Sequence, residues 1–130
     1  MHENYTSEAI FNTLDNLDEV QYNTFESIFI RHELKYKSEL QRALKHVISK
    51  PFGIEIDCDA IENIPSSAMT PTGFTANKTR TFLNYFAKHD NAIYLHICEA
   101  ATNLGSKKLA HQTAKLITYL ITDFIHANTN

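Results

Sequence analysis

The hydrophobic and polar positions of the chain predict alternating helices and strands. In four stretches apolar residues recur every three or four positions, as in helices that bury one face. Three shorter runs are rich in β-branched and aromatic residues, which favours strands, although the far end of the first run is compatible with a helix or a turn. The predicted helices are Ser7–Leu17, Lys37–Ser49, Thr75 to about His89, and Leu109–Ala127; the predicted strands are Tyr22–Ile30, Phe52–Cys58 and Ala92–Cys98.

Local signals refine these elements. Ser7 and Ser38 stand where N-cap residues are expected, and Pro51 stops the second helix. The run Ala92–Cys98 is apolar almost throughout, which predicts a strand buried on both faces. The last helix has the clearest periodicity, and the residues that it is expected to turn inward are Leu109, Leu116, Ile117, Leu120, Ile121, Phe124 and Ile125.

The order of the elements predicts the fold class. From Phe52 onwards the chain reads strand, helix, strand, helix, with connections of a dozen or more residues. Such connections are typical of a parallel sheet with right-handed crossovers. We therefore expect an α/β fold with a parallel sheet and flanking helices. Because no repeat or linker interrupts the chain, we expect residues 1–130 to form a single α/β unit.

The composition limits the classes of partner that the chain is expected to bind. Twelve basic and fifteen acidic residues give a net charge of -3, and no cluster of lysine and arginine is present, so neither nucleic acid nor an anionic membrane is expected as a partner. The apolar runs are too short to span a bilayer, and residues 1–20 lack the pattern of a signal peptide. We expect a cytoplasmic protein. The two cysteines, Cys58 and Cys98, are expected to be small core residues.

Three carboxylates follow the two later strands. Asp57 and Asp59 occupy alternate positions of one extended run, so they are expected to face the same way while Cys58 turns away. Glu99 follows the next strand, and ligands collect at the carboxyl ends of parallel strands. A hard cation is the simplest partner for the acidic pair. The alternative interpretation is a solvated edge strand for the pair and a solvated strand end for Glu99.

The same residues resemble a known family. The segment from Ile56 to Thr75, IDCDAIENIPSSAMTPTGFT, is similar to the arginase (ureohydrolase) block in which a strand ends in Asp-x-Asp and a loop with Pro, Thr-Pro and Gly leads into a helix. The segment YLHICEAA resembles the family's final strand, which ends in a glutamate, and Leu109–Ala127 resembles its closing helix. The sequences of these segments are most similar to those of arginases and formimidoylglutamases, and the resemblance is most specific from Phe52 to Ala101.

The resemblance implies a three-layer α/β/α fold and a manganese-dependent hydrolase of linear amidines. In this family a pair of Mn²⁺ ions is bridged by hydroxide, which attacks the carbon of a guanidino or formimino substrate. Asp57 would be a bridging and catalytic ligand, Asp59 a ligand to one metal, and Glu99 the catalytic and substrate-binding residue that receives the cationic group. Weaker candidates for shaping the substrate pocket are Ser66, Ser67 and Thr70.

The chain also departs from the family pattern. The upstream Gly-Gly-Asp-His and Asp-Ala-His-x-Asp motifs, which supply most of the metal ligands, are absent, and Glu62-Asn63 stands where the family has Asp-Pro. We therefore expect the carboxyl-terminal part of an arginase-like domain, inactive by itself and homo-oligomeric when full length. A non-enzymatic α/β binding or regulatory module with a structural cation site is the alternative.

Overall fold

The computed structural model describes residues 1–101 and 103–129, and the chain divides into two compact units. The first unit is Met1–His46 and the second is Val47–Asn130. The acidic residues singled out by the sequence all belong to the second unit. The expectation of one α/β unit over residues 1–130 stays a prediction.

The first unit is built from short helical pieces. They are the 3-10 turn Glu3–Tyr5, helix α1 at Glu8–Asp15, the π-helical turn Glu26–Ile30 and helix α2 at Tyr36–Val47. The predicted helix from Ser7 is confirmed, with Ser7 at the N-cap position and an end at Asp15. Ser38 is not a cap, because the Glu39 N–H already donates to the Lys35 carbonyl at 3.1 Å and the helix therefore begins earlier.

The predicted strand over Tyr22–Ile30 is wrong. The second half of this run forms the π-helical turn. A helix or a turn was the alternative that the sequence left open for the far end of the run. The turn places the rings of Phe25 and Phe29 at a centroid separation of 4.9 Å, and the Ser27 hydroxyl donates to the Thr24 carbonyl. Aromatic packing one turn apart thus outweighs the strand propensity of this run, which is a weak preference when tertiary contacts oppose it.

The second unit is mixed α/β. Strand β1 at Phe52–Asp57 pairs in parallel with strand β2 at Ala92–Cys98. Helix α3 at Ala76–Ala87 connects them, and helix α4 at Lys107–Asn128 follows β2. The predicted parallel pairing is confirmed. The helices contact each other as well as the strands, so both cover one face of the two-stranded sheet.

The core lies between this sheet face and the two helices. Ile54 and Ile56 of β1, Leu83 and Phe86 of α3, and Leu116 and Leu120 of α4 are buried. Burial of each such side chain contributes roughly 1.5–3 kcal/mol.

Two predictions of burial are wrong. Ile121 and Ile125 of α4 are 45% and 50% exposed, because the buried positions of this helix are Thr113, Leu116 and Leu120. Strand β2 is not buried on both faces, since Ile93 and Tyr94 are 62% and 49% exposed. The Tyr94 ring lies over Gly53 of β1, where a Cβ atom would overlap it.

Polar contacts join the elements of the second unit. Arg80 of α3 donates to both carboxylate oxygens of Asp123 of α4, at 2.6 and 2.9 Å. The Asn128 amide donates to the carbonyls of Ala87 and Ala92, at 3.2 and 2.9 Å. A single side chain at the end of α4 therefore holds the end of α3 and the start of β2.

Candidate functional site

The structure brings acidic residues of two strands to one sheet edge. Asp57 ends β1, and its partner across the sheet is Cys98, the last residue of β2. Glu99 follows Cys98 directly. The negative charges of Asp57, Glu99 and Glu55 all act on the Cys98 thiol, where burial is the larger cause of a raised pKa. We call this end of the sheet, where both strands finish, the carboxyl edge; it is distinct from the lateral edge of either strand.

Asp57 and Asp59 do not lie at alternate positions of one strand, as the sequence predicted. The strand ends at Asp57, and Cys58–Ala60 form a 3-10 turn. The Asp57 Oδ1 atom accepts the Asp59 N–H at 2.8 Å and so caps this turn. Aspartate favours such bonds to the following backbone, which compete with a strand ladder. Asp59 therefore lies on a turn, while Cys58 is buried as predicted.

The Asp59 carboxylate is fixed by the loop that follows it. The Ser67 hydroxyl donates to Oδ2 at 2.6 Å, and the Ala68 N–H donates to Oδ1 at 3.1 Å. Burial alone would raise the pKa of Asp59, but hydrogen bonds from Ser66, Ser67 and Ala68 outweigh it and leave the pKa below its ordinary value. Hydrogen bonds to the charged form favour ionisation. Asp59 is thus an oriented, ionised carboxylate.

The loop between Ile61 and Thr75 is closed at its base by backbone contacts. The Phe74 N–H donates to the Ala60 carbonyl at 2.8 Å, and the Glu62 N–H donates to the Phe74 carbonyl at 3.0 Å. Gly73 permits this close approach, because a Cβ there would stand 2.5 Å from the Ala60 oxygen. The base of the loop is therefore fixed relative to the end of β1.

The loop also reaches the segment after β2. Pro65 is fully buried, and its carbonyl accepts the Ala101 N–H at 3.3 Å. Ala101 lies two residues beyond Glu99, so the peptide segments that carry Asp59 and Glu99 are tied together at their ends. Such a bond limits how far the two acidic residues move apart.

The three loop candidates differ in what they contact. Ser67 reaches Asp59 directly. Ser66 is buried, and its hydroxyl oxygen accepts the Met69 N–H at 3.2 Å. The Thr70 hydroxyl donates to the Thr72 carbonyl at 2.7 Å. Thr70 thus stabilises the loop itself, whereas Ser67 reaches the predicted metal ligand Asp59 directly and Ser66 also lowers the pKa of Asp59 through a hydrogen bond.

Glu99 has an unusual backbone. Its φ angle is +56° and its side chain is exposed. A left-handed conformation costs a non-glycine residue roughly 1–2 kcal/mol. The turn at Glu99 ends β2 and directs the chain towards Ala101, while the carboxylate stays exposed.

The nearby thiols are poor nucleophiles. Burial, with the negative charge of Asp57, raises the pKa of Cys58 to about 11, and the pKa of Cys98 is raised as well. Both remain protonated near neutral pH.

The donors fit a hard cation in type and fall short in number. Carboxylate oxygens are the ligands that Mg²⁺, Ca²⁺ and Mn²⁺ prefer, and the bonds from Ser67 and Ala68 to Asp59 are of the kind that orients a metal ligand. Among residues 1–101 and 103–129, however, no group of three or more His, Cys, Asp or Glu side chains is placed to hold an ion. Asp57 and Asp59 would by themselves supply only part of the coordination sphere of such a cation.

Sequence reasoning missed the backbone donor of Ala68. A backbone N–H carries no residue signature, and the available signal was the run of small residues after Pro65, which lets the loop close over an acid.

The fold and the site define a mixed α/β protein with an acidic carboxyl edge. No protein-family model matches the chain, and no curated protein matches it. In the described part of the chain, no helix has both the length and the apolar character needed to cross a membrane.

Proposed function

We propose that this chain supplies part of the active site of a manganese-dependent hydrolase of linear amidines or guanidines, of the arginase or formimidoylglutamase type. The observation that carries the proposal is the meeting of Asp57 and Glu99 at one sheet edge, beside an Asp59 that Ser67 and Ala68 hold ionised. The arginase-like segments described above stand at the same positions. The three-layer α/β/α fold belongs to this proposal.

Each acidic residue has a distinct part in the proposal. Asp57 and Asp59 bind the metal pair, and the remaining ligands come from outside residues 1–130. When bound, the metal pair lowers the pKa of water and stabilises developing negative charge. Glu99 receives the cationic guanidino or formimino group through a charge-assisted contact, and Ser67 keeps the Asp59 carboxylate oriented. The complete enzyme is proposed to be cytoplasmic and homo-oligomeric.

Activity measurements test the proposal. The 130-residue chain with excess Mn²⁺ is expected to release neither urea from guanidino substrates nor formamide from formimino substrates, because its ligand set is incomplete. Robust turnover would contradict the incompleteness. In an extended protein that adds the missing ligands, Asp57→Asn is expected to abolish activity, and Glu99→Gln to raise KM more than it lowers kcat. The matched control is Glu62→Gln, which changes a carboxylate in the loop between Ile61 and Thr75 that has no part in the proposal.

A non-enzymatic module with a structural cation is the second candidate. It is favoured by the bonds of Asp59, whose two oxygens are both engaged within the loop. On this view a cation bridges Asp57 and the loop and stabilises them. Mn²⁺, Mg²⁺ and Ca²⁺ would each raise the Tm of the chain, Asp57→Asn would remove that increase, and no extended form would hydrolyse an amidine.

A further inference from the structure

A small apolar cavity lies beside the outer edge of β1. Its volume is about 140 Å³. It is lined by Glu55, Ile56, Asp57, Ala60, Ile61, Phe74, Thr79 and Phe82. Three consecutive residues of β1 line it and none of β2 does, so it borders the edge of β1 that is turned away from β2. In the described part of the chain β1 pairs with β2 alone.

The cavity has the size and lining of a side-chain pocket. Ile56, Ile61 and Thr79 form buried walls, and Phe74 and Phe82 are half-buried beside them. An apolar cavity of roughly 150 Å³ holds one benzene ring, so this one accepts a single aromatic or large aliphatic side chain. It is much smaller than the roughly 300–1,000 Å³ of a small-molecule site.

The charged side chains at the outer edge of β1 limit which strand can bind beside the cavity. Glu55 and Asp57 of β1 are exposed, on the sheet face opposite buried Ile56. If two copies paired through this edge, their carboxylates would approach one another, and like charges across strands are destabilising. A strand with lysine or arginine on either side of an apolar residue is complementary, because neighbouring side chains of a strand point to opposite faces.

We propose that the outer edge of β1 binds an extended segment of another polypeptide, with a central aromatic or large aliphatic residue flanked by basic residues. The segment pairs with β1 through its backbone and inserts the apolar side chain into the cavity, while the basic side chains lie beside Glu55 and Asp57. This is recognition by strand addition, in which backbone bonds provide affinity and pockets for alternate side chains provide specificity.

The proposal goes beyond the hydrolase function and does not depend on it. The cavity floor contains no metal-ligand candidate other than Asp57, and peptide binding requires no metal. Measurements in EDTA therefore separate the two proposals, since the peptide would bind even if the chain had no role in amidine hydrolysis.

Fluorescence anisotropy with labelled peptides tests the docking. The probe is a nine-residue peptide of threonine and valine with a central phenylalanine between two lysines. We expect saturable binding to the 130-residue chain in EDTA, weakened roughly tenfold or more when the phenylalanine is replaced by alanine, given the apolar area it buries. Replacing both lysines by glutamate, or N-methylating alternate peptide bonds, is expected to remove binding.

Protein variants locate the site. Glu55→Lys is expected to weaken binding of the lysine peptide and to restore binding of the glutamate peptide. Ala60→Leu is expected to weaken binding by filling the cavity, while Ala114→Leu on the exposed surface of α4 is the matched control and leaves binding unchanged. Circular dichroism establishes that each variant is folded. The proposal is overturned if N-methylation or the loss of phenylalanine has no effect, or if sedimentation shows that β1 edges of two copies pair instead.

Discussion

The carboxyl ends of β1 and β2 carry acidic residues that the chain holds in opposite ways. After β1, Asp59 is fixed by side-chain and backbone donors of a loop that is itself closed at its base. After β2, Glu99 is exposed and its backbone is left-handed. The carboxylate at the first end is held by hydrogen bonds, and the carboxylate at the second end is exposed. A rigid metal-binding side and an adaptable substrate-binding side would have this difference.

Closing the loop after β1 should contribute most to stability. Gly73→Ala places a Cβ against the Ala60 carbonyl, and overpacking of this kind typically costs about 1–3 kcal/mol. The matched change after β2 is Gly105→Ala, where φ is +76° and a Cβ would lie 3.2 Å from the Leu109 side chain rather than against backbone, with an expected cost of about 1 kcal/mol. Urea denaturation measures both. A larger loss for Gly105→Ala would reverse the comparison.

The hydroxyl of Ser67 should come next in effect. Ser67→Ala removes a 2.6 Å bond to an ionised carboxylate, and for a partly exposed pair we expect a loss of about 1 kcal/mol in the free energy of unfolding. Ser67→Thr keeps the hydroxyl and should restore most of it. Denaturant titration at neutral pH measures the three proteins, and equal stability of all three would show that the bond does not hold Asp59.

The end of β1 should also respond to acid through Asp59. Because the folded state lowers the pKa of Asp59, its contribution to stability is present above the unfolded pKa of about 3.9 and is lost as pH falls through the lower folded value. Thermal melts between pH 7 and pH 2 should therefore show the stability advantage of the native chain over Asp59→Asn shrinking below about pH 4. An advantage that stays constant down to pH 2 would contradict the lowered pKa.

Changes at Glu99 should have the smallest effect. Glu99→Gln is expected to alter stability by less than about 0.5 kcal/mol, as is usual for an exposed side chain. Glu99→Gly should stabilise slightly, since glycine adopts a positive φ without strain. Chemical denaturation of the two variants beside the native chain measures this. A large loss with glutamine would mean that the Glu99 carboxylate is as firmly held as that of Asp59.

The sequence predicted the second unit better than the first. Thr75 is the N-cap of α3, with its side chain accepting the Lys78 N–H, and the periodicity of α3 and the apolar run of β2 gave correct bounds. The run Tyr22–Ile30 misled because aromatic and β-branched residues also fill a π-helical turn when ring packing favours it. Patterns of residue type report the period of an element but not the contacts that override it.

The sequence predicted which acidic residues lie at the carboxyl ends of the two strands, and not how they are held. The order of β1 and β2 places Asp57 and Glu99 at one edge in any parallel pairing. The strand ends at Asp57 because its side chain bonds to the Asp59 N–H, and Ala68 contributes only its backbone. Aspartate favours the first bond but also fits a strand end, and the second bond has no residue signature, so the orientation of Asp59 became visible only in three dimensions.

The contact of Asn128 has a consequence for the motions of the second unit. Its amide bonds to carbonyls at the end of α3 and at the start of β2, so detachment of the last turn of α4 exposes backbone groups of two other elements at once. Local opening events in proteins involve such linked segments as cooperative units. Amide hydrogens around Ala87, Ala92 and the end of α4 should therefore exchange with solvent together, at one shared rate, rather than fraying independently from the carboxyl terminus.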